Sequence, residues 1–521
     1  MGNDSLHASL YQPGLDENNE AVISAHFMDK INANTLLNLY GSEQFYARAF
    51  YVSSSWVIEN LLPALEKASD HFVSERVSAA RKRAIRNYKE YGRHNPKDID
   101  TAEFITEVMF DRQFLKGRKG NCSRMALAKR VKESLENKLP IRMVIPALPY
   151  KSTSPLKSRG ILPDLSEVNF LLGLAEVAKT ISRIYCEDNP APNSFAKFIV
   201  ISDGSRFNRF LNEPIENIQA YQQQLNWWIN TLNIADYVEI VDYQDVIGNL
   251  LPKDQYLQKN AIRNEVLQLY TDLMLPLLNP CAMSKTMIDA IACDPDPETD
   301  YAEGRFVPLF KSLVYTISYQ CLHDYASILQ TDYNPLYMEI IRHIFIPCTL
   351  LESADIAQVK AFIANPRLEP PQWVQMKEYF RQQMLKEAWR AAIHYIAEIR
   401  SDRELANDPI LTCFPDAIRW TIHSKRGQLA LLTTSGKGDP VQPWHGAALC
   451  QLTGTNRIKF YTHPALLLEG SGATPVLIKE RTNVFGLDNQ PLFYVGSDIV
   501  FQNSDGLLCQ IEHLLTRKRK L

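Results

Sequence analysis

Three short apolar runs, Ile141–Ile145, Phe198–Ser202 and Val238–Val241, alternate with two longer stretches, Leu165–Cys186 and Ile215–Leu232, whose apolar positions recur at helical spacing. The middle run, Phe198-Ile-Val-Ile-Ser202, is continuously apolar, as a parallel strand buried on both faces requires. Strand, helix, strand, helix, strand predicts an α/β protein with a Rossmann-like, doubly wound and mostly parallel sheet. Ligands of such sheets sit beyond the carboxyl ends of the strands. Asp203-Gly204 follows the second run and Asp242 the third, which puts two carboxylates at that edge. Ser-Asp-Gly is also ordinary turn chemistry, so the same residues fit a plain connection.

The connection after the first strand is more distinctive. Pro146 to Asp164 reads Pro-Ala-Leu-Pro-Tyr-Lys-Ser-Thr-Ser-Pro-Leu-Lys-Ser-Arg-Gly-Ile-Leu-Pro-Asp. Four prolines stiffen it. Lys151, Lys157 and Arg159 supply cations, and Ser152, Thr153, Ser154 and Ser158 supply hydroxyls. A rigid, cationic, hydroxyl-rich loop at the binding edge suits an anionic small molecule such as a sugar phosphate. A solvated surface loop, with Asp164 capping the next helix, is the bland alternative.

Two histidines near the other end of the chain close short apolar stretches: His423 after Arg419-Trp-Thr-Ile, and His445 in Pro443-Trp-His-Gly446. Imidazole titrates near neutrality and serves as acid or base, although a lone histidine is more often structural.

Pro146-Ala-Leu-Pro-Tyr-Lys-Ser152 with Leu162-Pro-Asp164 resembles the P-x-x-P-[FY]-K-S … L-P-D signature of the pyoverdine/dityrosine biosynthesis family, the isocyanide synthases and their formyl-tyrosine-forming relatives. The resemblance extends to Ser202-Asp-Gly204 with Phe207 and Phe210, to Phe414-Pro-Asp416, Arg419 and Ile422-His423, and to Pro443-Trp444-His445. The family's usual proline after the first histidine is Ser424 here. The similarity covers about residues 135–250 and 395–495, and much less of the remainder.

The resemblance implies condensation of an aromatic L-amino acid, tyrosine or tryptophan, with ribulose 5-phosphate as co-substrate, so that the α-amine becomes an isonitrile. It implies no cofactor and no metal, and a downstream oxygenase acting on the product as a partner. On this reading Lys151, His423, His445 and Arg419 are the catalytic candidates. Ser152, Lys157, Arg159, Asp164, Asp203, Asp242 and Trp444 are the substrate-binding ones. A histidine pair supplies the base that keeps the amine neutral and the acid that removes water from the carbinolamine. Lys151 or Arg419 stabilises the oxyanions formed on enolisation and carbon–carbon cleavage. Lys157 and Arg159 grip the phosphate, the aspartates hold hydroxyls or the ammonium, and Trp444 walls the aromatic ring.

At 521 residues the chain exceeds one ordinary core. Its organisation reads as a leader over 1–40, a helical region over 41–139, the first half of an α/β core over 140–250, a helical subdomain over 251–400, and a strand-rich remainder over 401–521. Short strand candidates there, from Ile418–Ile422 to Ile499–Phe501, predict mixed or antiparallel strands extending or covering the first sheet. In the 41–139 region, Phe50, Val57, Leu61 and Leu65 recur at helical spacing.

The net charge of −3 gives no electrostatic reason to expect nucleic acid. Nine scattered cysteines form no zinc-ligand quartet and read as reduced thiols, and no apolar run is long enough to span a membrane. A cytoplasmic enzyme is therefore expected. An iron oxygenase needs a His-x-Asp/Glu element, and none of the eleven histidines has one. Nucleotide enzymes are disfavoured by the absence of a Gly-x-Gly-x-x-Gly turn or a P-loop. The rivals still standing are a formyl-tyrosine-forming relative and a non-catalytic binding protein on the same fold.

Overall fold

The structure is a computed structural model. It describes residues 48–90, 99–115, 123–151, 158–188, 195–211, 213–278, 370–422, 429–431, 441–452, 458–465, 471–479, 490–499 and 501–516, with residues 309, 310, 313, 316, 317 and 468.

The alternating pattern folds as predicted. Strands β2 (Ile141–Pro146), β3 (Ala196–Ser202) and β4 (Val238–Asp242) run parallel, with helices α4 (Leu165–Asp188) and α6 (Ile215–Thr231) as the intervening crossovers. A short helix, α5 (Gly204–Leu211), starts directly after β3, and α7 (Tyr243–Leu250) directly after β4. The sheet order is β4-β3-β2-β5-β6, where β5 is Ile418–Thr421 and β6 is Leu429–Ala430. Both late strands are parallel to their neighbours.

A second, mixed sheet has the order β1-β9-β10-β7-β8. Strands β7 (Ala447–Leu452), β8 (Ile458–His463), β9 (Thr474–Ile478) and β10 (Phe493–Val495) come from the carboxyl-terminal region. Its edge strand β1 (Phe50–Val52) comes from the other end of the chain and pairs in parallel with β9. Helical spacing around Phe50 therefore misreads this tripeptide. The true helix follows, through a turn at Ser54–Trp56 and a π-helical stretch at Val57–Leu61, as α1 (Leu62–Glu90). At the other end of the second sheet's sequence, Ile499 lies in a turn rather than a strand; its N–H bonds the Gly496 carbonyl at 3.0 Å.

Helix α4 lies between the two sheets. Leu165, Val168, Leu171, Leu174 and Ala175 are buried in one apolar cluster with Met143, Ile145 and Val200 of the first sheet and Val476 and Phe493 of the second. Burial at about 25 cal/mol per Å² makes this shared cluster the main stabilising contact between the layers. The opposite face of the parallel sheet, with Val144 and Ile201, is covered by α7 and by α10 (Pro409–Cys413).

Helices α2 (Thr101–Met109) and α3 (Arg124–Glu136) complete the amino-terminal region. Helix α8 (Lys253–Met274) pairs with the long α9 (Pro370–Arg403), and α11 (Ser504–Thr516) ends the described chain. Among the described residues no helix is long and apolar enough to cross a membrane. The basic run on α1 is partly turned inward: Arg83 pairs with Asp111 at 2.9 Å, and Arg81 lies over the Phe104 ring.

Candidate active site

The loop leaving β2 is held tightly against the end of β3. Leu148 has φ of 54°, a left-handed conformation that costs a branched side chain free energy, and its carbonyl accepts a 2.8 Å bond from Ser202 Oγ. Gly204 opens α5 directly beneath Pro149. A Cβ there would stand 1.9 Å from the Pro149 carbonyl oxygen, so only glycine permits the contact. Strain of this kind gathers where a loop must present side chains in one place.

What the loop presents is Lys151, buried to 1% exposure. Its Nζ lies 2.7 Å from Asp164 Oδ2 and 3.1 Å from Glu167 Oε2. Both carboxyls are set by the start of α4, where Asp-Leu-Ser-Glu forms a capping box. Asp164 Oδ1 accepts the Ser166 N–H at 2.7 Å, and Glu167 Oε2 accepts the Asp164 N–H at 2.9 Å. Thus the loop's lysine closes on the helix start that ends the same loop. Burial lowers the Lys151 pKa, but Asp164 and Glu167 outweigh it, and the ammonium is held above its ordinary value. Burial pushes the Glu167 carboxyl well above the usual range; Lys151 opposes this and Asp164 reinforces it.

Two tyrosines back the group. The Tyr221 hydroxyl, from α6, lies 3.4 Å from Glu167 Oε1, and the Tyr150 ring meets Tyr221 edge-on at 5.9 Å between centroids. Burial and then the neighbouring Glu167 and Asp164 carboxyls raise Tyr221 well above its usual pKa, so the phenol stays protonated. Burial and the Glu213 carboxyl do the same for Tyr150.

The second sheet reaches this centre through α4. Ser166 Oγ is 3.2 Å from Thr462 Oγ1 of β8, and Gly446, the residue after His445, fits against Thr462 so closely that a Cβ would fall 2.7 Å from its methyl. Trp444 is buried with its ring edge-on to Phe170, one turn along α4 from Glu167. The half-buried His445 ends a 3-10 turn, its N–H bonded to the Gln442 carbonyl at 2.9 Å. Lys151, Asp164 and the Trp444-His445 turn are thereby linked through the first two turns of one helix.

Other predicted residues lie apart or serve a visible structural role. Arg419 aligns with Val144 on the face of the sheet opposite α4, while its neighbours Ile418 and Trp420 join the α4-side cluster. Its Nε pairs with Asp408, the cap of α10, at 3.2 Å, so the parallel sheet separates Arg419 from Lys151. Burial lowers its pKa against the pull of Asp408. Asp242 caps α7 and accepts bonds from Ser205 Oγ at 2.7 Å and Gln222 Nε2 at 3.0 Å. Asp203 is half-buried at the end of β3, with its carbonyl accepting the Arg206 N–H. Arg159 is half-buried beside Gly160, whose φ of 143° lets the backbone close against Gln490. Ser152, Lys157 and His423 lie outside the described residues.

Residues missed from the sequence are Glu167, Tyr221 and a buried ion cluster just past Asp203. Arg206 pairs with Glu398 at 3.2 Å and Asp402 at 2.8 Å, both on α9. Lys259 of α8 bridges the same two carboxylates, and the Tyr243 hydroxyl lies 2.9 Å from Asp402. The spacing Asp164-x-x-Glu167 was a legible signal for the first residue. Nothing local signals Arg206 and Glu398, which are 192 positions apart. Among the described residues, no group of three or more His, Cys, Asp or Glu side chains is placed to hold a metal ion.

Residues 131–306 match the family described as pyoverdine/dityrosine biosynthesis protein. An L-tryptophan isonitrile synthase, AmbI1 of Fischerella ambigua, is 32% identical over 121 residues, 23% of this chain and 35% of that protein. An L-tyrosine isonitrile synthase of Xenorhabdus nematophila is 27% identical over 136 residues, 24% of this chain and 38% of that protein. The crystal structure of the PvcA protein from Pseudomonas aeruginosa superposes with a TM-score of 0.40 at 18% identity, over 71% of this chain and 90% of that one. The chain matches little more than a third of the length of these two synthases. Lys151, Asp164, Glu167, Asp203, Tyr221 and Asp242 all fall inside the family-matched stretch. Over residues 131–306, this chain is similar to the pyoverdine/dityrosine biosynthesis protein family.

Proposed function

We propose that this protein is an isonitrile synthase that condenses an aromatic L-amino acid, tyrosine or tryptophan, with ribulose 5-phosphate and converts the α-amine to an isonitrile. The observation that carries this reading is the buried Lys151–Asp164–Glu167 group inside the stretch that matches the family. A buried cation beside a carboxylate and a second carboxyl suits a reaction that develops negative charge on oxygen and moves protons to and from nitrogen. In water-poor surroundings Lys151 stabilises an enolate far more strongly than it would in bulk solvent.

The remaining demands fall on the loop and the second sheet. The phosphate needs cations, for which Arg159 and Lys157 on the same loop are the candidates. The amine needs a general base, for which His445, on its turn against α4, and His423 are the candidates. Trp444 and Phe170 supply an aromatic wall beside the first turns of α4. A downstream oxygenase that consumes the isonitrile is the partner class this chemistry calls for.

The test is incubation of the full-length chain with L-tryptophan or L-tyrosine and ribulose 5-phosphate, without added metal, read by mass spectrometry. The expected product has gained one carbon and lost two hydrogens. A formamide in its place would move the protein to the formyl-tyrosine-forming branch, and unchanged amino acid in every mixture would refute the reading.

A further inference from the structure

Three ionisable groups meet at the start of α4: the ammonium of Lys151 and the carboxyls of Asp164 and Glu167, each exposed by 1% or less. Among the described residues, Lys151 is the cation that pairs with either carboxyl. With both carboxyls ionised the enclosed group would carry a net negative charge, which an interior tolerates poorly.

The two carboxyls differ in their contacts. Both oxygens of Asp164 accept short bonds, at 2.7 Å from Lys151 Nζ and at 2.7 Å from the Ser166 N–H, as a carboxylate does. Glu167 spends Oε2 on Lys151 and the Asp164 N–H, while its Oε1 faces the Tyr221 hydroxyl, which can accept a bond as well as donate one.

We infer that Glu167 is the positioning residue of this centre: a neutral carboxylic acid that ties Lys151, the Asp164 backbone and Tyr221 together and leaves Lys151 and Asp164 as a balanced ion pair. The titratable groups that face it are Lys151 and Tyr150 from the loop after β2, Asp164 from its own helix start, and Tyr221 from α6, with Glu213 beyond Tyr150. Burial and Asp164 hold its pKa up against Lys151, and the raised Tyr221 phenol stays a neutral neighbour. Its consequence for turnover rests on the function proposed above; its protonation does not.

Unfolding of the full-length chain without substrate, from pH 5 to pH 9, tests the inference for wild type, Glu167→Gln and Asp164→Asn. A carboxyl raised in the fold contributes stability that is complete below its unfolded pKa and is lost as pH rises through its folded pKa. Glutamine has no proton to lose. The folding constant of Glu167→Gln relative to wild type should therefore rise with pH, by up to tenfold per unit, whereas Asp164→Asn should be impaired throughout. A ratio flat across the range, or Glu167→Gln as impaired as Asp164→Asn at every pH, would overturn the inference.

In the product assay, wild type should show an alkaline limb in kcat that Glu167→Gln lacks; the same limb in both would also overturn it. Failure of wild type to make product would count against the proposed function alone, since the unfolding series decides the protonation without it.

Discussion

The Lys151 ammonium and the Asp164 carboxylate, 2.7 Å apart and both buried, join the two ends of the proline-rich loop that leaves the central strand. The two sides of this pair differ in what their loss leaves behind. Asp164→Asn removes the carboxylate that balances the ammonium, so Glu167 must give up its proton to pair with Lys151, and the loss should cost about 1–3 kcal/mol, read as a lowered melting temperature. Lys151→Met removes the charge and keeps the apolar stem, and the remaining carboxyls can take up protons. That variant should stay folded while losing product formation, with stability that declines as pH rises.

Gly204→Ala tests the close approach of β3 and the loop. The added methyl would meet the Pro149 carbonyl at 1.9 Å, and backbone cannot swing aside as a side chain can. Forced displacement of this kind costs about 1–3 kcal/mol. Because Lys151 lies two residues beyond Pro149, product formation should fall further than stability does, as steady-state kinetics beside thermal melts will show.

The Arg206–Glu398–Asp402–Lys259 cluster fastens α5, and with it the Asp203 turn, to α8 and α9. Arg206→Met should destabilise the protein by about 3–5 kcal/mol, since it leaves the buried Glu398 and the half-buried Asp402 short of a partner. Burial works against ionisation of Glu398, but Arg206, Lys259 and Arg263 outweigh it and hold its pKa below the ordinary value. A depressed carboxyl contributes stability that is present above its unfolded pKa and lost as pH falls through the folded one. The wild type should therefore lose this contribution below about pH 4.5, and Glu398→Gln should lack that step in an acid titration followed by circular dichroism.

Thiol reactivity should follow burial. Burial, helped by Asp408, pushes the Cys413 thiol up to about 11, and burial with Asp498 pushes Cys450 higher still. The thiolate is the reactive form. Iodoacetamide at pH 8, followed by peptide mapping, should label the exposed Cys509 well before Cys413 or Cys450 in the folded chain.

The parallel sheet was legible because β2, β3 and β4 are short apolar runs separated by helical periodicity, and each signal is local. Strand β1 was not, because Phe50–Val52 is three residues long and its partner in β9 lies at the far end of the chain. Mixed strands were expected from the carboxyl-terminal region, and β7 to β10 supply them. β5 and β6 instead extend the parallel sheet, which no local pattern distinguishes. Lys151 and Asp164 stood out in sequence as loop residues, and the capping-box spacing would have added Glu167. Arg419 carried a motif match, yet strand alternation turns it to the other face of the sheet. Arg206 carries no pattern at all, since its partners are contributed by a helix that only the tertiary fold brings near.

The most direct measurement is product analysis for wild type and Lys151→Ala side by side, with L-tryptophan or L-tyrosine and ribulose 5-phosphate, and with folding of both checked by thermal melts. The expected result is isonitrile from the wild type and none from a folded Lys151→Ala. Isonitrile from the variant at the wild-type rate would show that the chemistry does not run through the buried lysine, and no isonitrile from the wild type with either amino acid would contradict the assigned reaction itself.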